Sequence, residues 1–92
     1  MILRIRHRGL RRFHRRGDAS GLVPHEVRKI RRIMTALEGA SGAKDLDAPS
    51  YRMHPLKGDL AGYWAVDVSA NRRIIFRFDE QDVTDVELLD YH

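Results

Sequence analysis

The chain has 92 residues, 42% of them hydrophobic, and no cysteine. That is enough apolar material for one small core, and it excludes disulfides, thiolate metal sites and thiol catalysis. Net charge is +4, split as 12 Lys and Arg against 4 Asp and Glu in residues 1–46, and 5 against 9 in residues 47–92.

Residues 2–6, ILRIR, carry Ile2, Leu3 and Ile5 and are predicted to form a first strand. The opening MILRIRHRGLRRFHRRG has no apolar run long enough for a signal peptide, and the chain has no stretch of about 18 apolar residues to cross a membrane. The expectation is a soluble protein, cytoplasmic in setting. From His7 to Arg16 the large apolar residues are Leu10 and Phe13, spaced i, i+3 among arginines, with Gly17 placed as a C-cap. This predicts a short basic helix. Arg11, Arg12, Arg15 and Arg16 have no nearby acids and repel one another unless something neutralises them. Fourteen of the 17 cations are Arg, whose planar fork matches phosphate and stacks on bases. A polyanionic partner is therefore favoured over a merely solvated basic face.

Asp18 to Val23 reads as a turn, after which Pro24 opens a second helix with the apolar stripe Val27, Ile30, Ile33, Met34 and Leu37, ended by Gly39. Arg28, Lys29, Arg31 and Arg32 lie on its other face, so the two helices form an αα-hairpin, apolar inside and cationic outside. The stripe is core rather than a cofactor contact. Residues 40–50 are a loop-rich connection. Beyond it the period becomes two: Trp64, Val66 and Val68 alternate with Tyr63, Ala65 and Asp67, and Ile74, Phe76 and Phe78 with Arg73, Ile75 and Arg77. With Ser69, Ala70 and Asn71 as the hairpin loop, Val66 faces Ile74 and Trp64 faces Phe76, while Asp67 faces Arg73 and Tyr63 faces Arg77 on the opposite side. VTDVELL, residues 83–89, supplies the last strand.

The predicted order is β-α-α-β-β-β in a single α+β domain over residues 1–92, with a short extra strand near Tyr51 to His54. A small antiparallel sheet packs one face on the two N-terminal helices and leaves the other concave, polar and rich in cations.

His7, His14, His25, His54 and His92 lack metal-ligand spacing, and no phosphate-cradling glycine loop or nucleophile elbow occurs. No cofactor is expected. What remains is metal-free acid/base work on a phosphodiester, where RNA brings its own nucleophile in the 2′-OH. Such a reaction needs groups that move protons and cations that stabilise phosphorane charge. His54, Lys57, Arg73, Asp90, Tyr91 and His92 include every required type. Plainer readings stand beside this one: Arg73 as the surface partner of Asp67, worth about 0.5 kcal/mol, and His54 as a loop cap.

HRGL, GLVP, YRMHPLKGD, GYW, the N-x-R-I-x-F strand at Asn71 to Phe76 and the closing DYH together resemble the HigB toxins of the RelE/ParE superfamily. The resemblance covers nearly the whole chain. It implies a RelE-like microbial ribonuclease fold and a toxin that enters the A site of the 70S ribosome. There such toxins act as mRNA interferases, cutting mRNA as metal-independent endoribonucleases and so inhibiting translation. On the matched positions the catalytic set would be His54, Lys57, Arg73, Asp90, Tyr91 and His92. Arg73 would take the phosphate charge, and His54 and His92 the proton transfers. Tyr91 or Lys57 could replace either, and base and acid are not distinguished. Arg4, Arg8, Arg11, Arg12, Arg15, Arg16, Asn71 and Arg72 would contact mRNA or ribosomal RNA, Asn71 also supporting the loop that presents Arg73. Two departures stand out: Arg72 where the family has Trp, and Ala65 where it has Ser. The implied partner is a HigA-type helix-turn-helix antitoxin, with operator DNA reached only through it. The alternatives are a ParE-like gyrase inhibitor and a basic RNA-binding module without catalysis.

Overall fold

His7 does not lie inside the first helix but starts it. In the computed structural model, which describes residues 1–46 and 51–90, His7 is extended and its Nδ1 accepts the N–H of Leu10 at 3.0 Å. This is the N-cap role, filled here by an imidazole. Helix α1 then runs Arg8–Arg16, buries Leu10 and Phe13, and ends at a left-handed Gly17 whose N–H donates to the Phe13 carbonyl. A single tight turn over Pro24–Glu26 leads into α2, Val27–Gly39, which buries Ile30, Ile33, Met34 and Leu37. Gly9 of α1 meets Gly21 of the intervening turn so closely that a β-carbon on Gly9 would lie 2.6 Å from the Gly21 carbonyl oxygen. The glycines of HRGL and GLVP thus let α1 and the turn touch backbone to backbone.

The sheet has four antiparallel strands in sequential order: β1 (His54–Pro55), β2 (Trp64–Asp67), β3 (Arg72–Asp79) and β4 (Asp82–Asp90). Trp64 pairs with Phe76, Val66 with Ile74 and Asp67 with Arg73, the register predicted from the hairpin loop. Val66, Ile74, Phe76, Val83, Val86 and Leu88 pack with the buried residues of both helices in one core.

Three expectations change. Residues 2–6 form no continuous strand: Ile2 and Ile5 make isolated parallel bridges to Val83 and Val86. Between those bridges β4 bulges, with Asp85 in the left-handed region at φ 52°, which breaks the ladder a regular strand would need. The extra strand lies at His54–Pro55, where an edge position tolerates a proline without an N–H. The sheet face away from the helices is not uniformly polar, since Ala65 and Ile75 are buried there, with Leu56 and Leu60 of the following loop nearby. Residues 47–50 of the predicted connection lie outside the described residues. No helix among the described residues is long and apolar enough to cross a membrane.

Candidate active site

Arg73 sits on the face of β3 that points away from the helices. One of its terminal nitrogens, NH1, is 3.5 Å from His54 Nε2, while His54 Nδ1 is 2.9 Å from the Arg52 carbonyl. A carbonyl only accepts, so Nδ1 carries the proton in the neutral ring and Nε2 keeps a lone pair toward Arg73. Next to this pair is a depression of about 360 Å³ lined by Leu56, Lys57, Leu60, Arg73, Ile75, Leu89 and Asp90. The HPLKGD segment reaches it in a defined way. His54 and Pro55 pair with β2, the Leu56 N–H donates to the Tyr63 carbonyl, and Lys57 precedes a tight turn at Gly58, whose φ of 69° favours glycine. Four of the six expected catalytic residues, His54, Lys57, Arg73 and Asp90, are therefore neighbours. Tyr91 and His92 lie outside the described residues.

Arg72 points to the other side of β3. Its Nε donates to Glu26 Oε1 and its NH1 to Asp90 Oδ1, each at 2.9 Å. Glu26 is 4% exposed and the Arg72 side chain 22%. The residue expected on the RNA surface is instead clamped between the start of α2 and the end of β4, where it holds the Asp90 carboxylate. Glu26 had no marker in the sequence beyond standing in the first turn of a helix. Asn71 is exposed in the β2–β3 loop, one residue from this clamp.

The α1 arginines lie together. Arg8, Arg11, Arg12, Arg15 and Arg16 line one depression of about 320 Å³. They are not wholly without acids: Arg12 Nε lies 3.9 Å from Asp18 Oδ2, and the Ser20 N–H, with Arg12 and Arg16 nearby, holds the Asp18 carboxyl below its ordinary range. Arg11 donates to the Ile5 carbonyl at 3.3 Å. Arg4 lies apart, beside β4, 3.9 Å from Asp85. A larger and more apolar depression of about 520 Å³ between α1 and α2 contains none of the residues grouped at Arg73. Its size comes from the gap between helices; His14, Arg31 and Glu38 line it, with His14 Nε2 3.9 Å from Glu38 Oε2.

The family profile described as RelE-like toxin of type II toxin-antitoxin system HigB matches residues 3–92. The chain belongs to that family. Family membership implies an antitoxin as partner. Over all 92 residues, and the whole of the relative, the chain is 37% identical to a Proteus vulgaris protein named Endoribonuclease HigB. Among solved structures it is similar in fold to YafQ from E. coli (TM-score 0.65, 15% identity, 98% of this chain and 91% of that one). It is similar also to a chain of the YoeB-YefM complex from Staphylococcus aureus (TM-score 0.63, 15% identity, 100% and 95%). What these likenesses share with this HigB-family chain is its fold, two helices packed on a four-stranded antiparallel sheet.

Proposed function

We propose that the protein is a metal-independent endoribonuclease that cuts mRNA in the ribosomal A site, and that its chemistry is centred on Arg73. The carrying observation is that Lys57, Arg73 and Asp90, from the loop after β1, β3 and β4, line one depression, with His54 of β1 3.5 Å from Arg73, in a chain 37% identical to a named endoribonuclease. In this reading the RNA 2′-oxygen attacks the adjacent phosphorus and the bond to the 5′-oxygen breaks, leaving a 2′,3′-cyclic phosphate and a 5′-hydroxyl. His54 Nε2, with its lone pair beside Arg73, takes the 2′ proton. The Arg73 guanidinium turns to the phosphate and stabilises the phosphorane oxygens, and Lys57 adds a second positive charge. The leaving 5′-oxygen receives its proton from Tyr91 or His92, the residues next to Asp90, which Arg72 anchors. The polyanion-matching arginines of α1 bind ribosomal RNA, and a HigA-type antitoxin holds the toxin inactive in the cytoplasm.

The test adds purified protein to 70S ribosomes paused with an empty A site on a defined mRNA, and maps RNA ends with and without EDTA, with free mRNA as control. Cuts at the A-site codon that need ribosomes and survive EDTA are expected. Intact mRNA from folded protein, together with inhibition of DNA gyrase, would replace this reading with that of a ParE-like inhibitor.

A further inference from the structure

The same open sheet face carries a second cationic group, about 13 Å from Arg73 at four residues' distance along β3. Arg77 donates through Nε to Asp85 Oδ2 at 3.0 Å and through its terminal NH2 to the same oxygen. Its guanidinium also lies over the Tyr63 ring, 5.7 Å from the centroid. Arg6 Nε and Arg4 NH1 stand 3.6 and 3.9 Å from Asp85 Oδ1, within ion-pair range but beyond a hydrogen bond, so their donors can serve another acceptor. Three guanidiniums around one carboxylate leave surplus positive charge. Asp85 is 10% exposed, whereas the side chains of Arg4, Arg6 and Arg77 are 66%, 49% and 43% exposed. The carboxylate is therefore an inner brace and the guanidiniums are the surface.

Fold stability alone asks for one partner to Asp85, and Arg77 already supplies it. An exposed, planar cation braced edge-on by a carboxylate and backed by an aromatic ring is a surface on which a base stacks. Neighbouring arginines that keep unused donors suit a phosphate. We propose that Arg77, backed by Tyr63, and the flanking Arg4 and Arg6 form a subsite for a single nucleotide of the mRNA beside the one being cut. Arg77 takes the base and Arg4 and Arg6 the phosphate. This rests on the reading that the protein acts on RNA, but it concerns binding and not the cleavage step.

The experiment measures binding of the full chain to ribosomes paused on mRNA with a 2′-deoxy sugar at the A-site cut, so that no reaction intervenes. A base is deleted at each nucleotide flanking the cut in turn, and wild type is compared with Arg77→Gln, Arg77→Lys and Arg6→Gln, each first checked for folding by circular dichroism. For wild type, one abasic position is expected to weaken binding about tenfold, as loss of a stacked base does. For Arg77→Gln that same position makes no further difference, because the stacking partner is already gone. Arg77→Lys keeps the charge and the Asp85 contact but also loses the base dependence, and Arg6→Gln weakens binding equally on every mRNA. Equal sensitivity of wild type and both Arg77 variants at every abasic position overturns the subsite, as does wild type that fails to bind. A chain that binds with the expected pattern yet leaves all-ribose mRNA uncut removes the nuclease reading and keeps this one.

Discussion

Arg72 and Arg73 are adjacent in sequence and opposite in role, because successive side chains of a strand leave on opposite faces. Arg73 faces the depression with His54 and Lys57, and its truncation removes charge from the site without emptying the core. Arg73→Ala is expected to stay folded, with an unchanged circular dichroism spectrum, and to lose cleavage by a factor of about a hundred or more. Arg72 faces Glu26 and Asp90. Removing it leaves the nearly buried Glu26 carboxylate without its partner, so Arg72→Ala is expected to cost about 3 kcal/mol of stability in urea unfolding. Activity should fall as well, since Asp90 loses its anchor, and Arg72→Lys should recover part of both. The sequence showed two cations in a strand and the register showed which faced Asp67, but it could not show Glu26 arriving from another element to claim Arg72.

At the scale of elements, α1 carries two separable properties. Its start depends on the His7 imidazole accepting a backbone hydrogen bond, which only the neutral ring can do. Burial holds the His7 pKa below its ordinary value of 6.5, against the opposing pull of Glu87 and with a smaller push from Arg72. As pH falls below about 6.5 the unfolded chain takes up a proton that the folded one resists, so this stability is lost downward until the lower folded pKa is passed. His7→Asn keeps a capping side chain that does not titrate. Between pH 7 and 5 the melting temperature of wild type is expected to fall further than that of His7→Asn. Parallel curves would show that the cap is not the titrating element. The outer face of α1 is the second property: replacing Arg11, Arg12 and Arg15 with Glu is expected to weaken ribosome association strongly at physiological salt while leaving the melting temperature nearly unchanged. Both helices and the β2–β3 register were legible because a 3.6-residue stripe and a two-residue alternation each have one solution around a single core. The first strand was misread because its apolar residues do pack, but against a partner whose bulge at Asp85 no local pattern announces.

Across the whole molecule, the positive first half and negative second half do not sort into a binding half and a catalytic half. Cations from both halves share the open sheet face: Arg4 and Arg6 beside Arg77, and Lys57 beside Arg73. The HPLKGD loop and the end of β4 meet at one depression, although Asp90 lies 32 positions after Gly58 and the strands between them set the distance. The motif string supplied the candidate residues. The convergence followed only once the strand order β1-β2-β3-β4 set the loop and β4 on either side of Arg73. In the proposed reaction this depression directs the RNA's own 2′-oxygen onto its phosphate. The most direct test of this is single-turnover cleavage of ribosome-bound mRNA carrying one 2′-deoxy nucleotide at the cut, with the fragment ends identified. The deoxy mRNA is expected to remain whole at that bond and the all-ribose mRNA to give a 5′-hydroxyl fragment. Equal cleavage of both, or a 5′-phosphate on the downstream fragment, would contradict it.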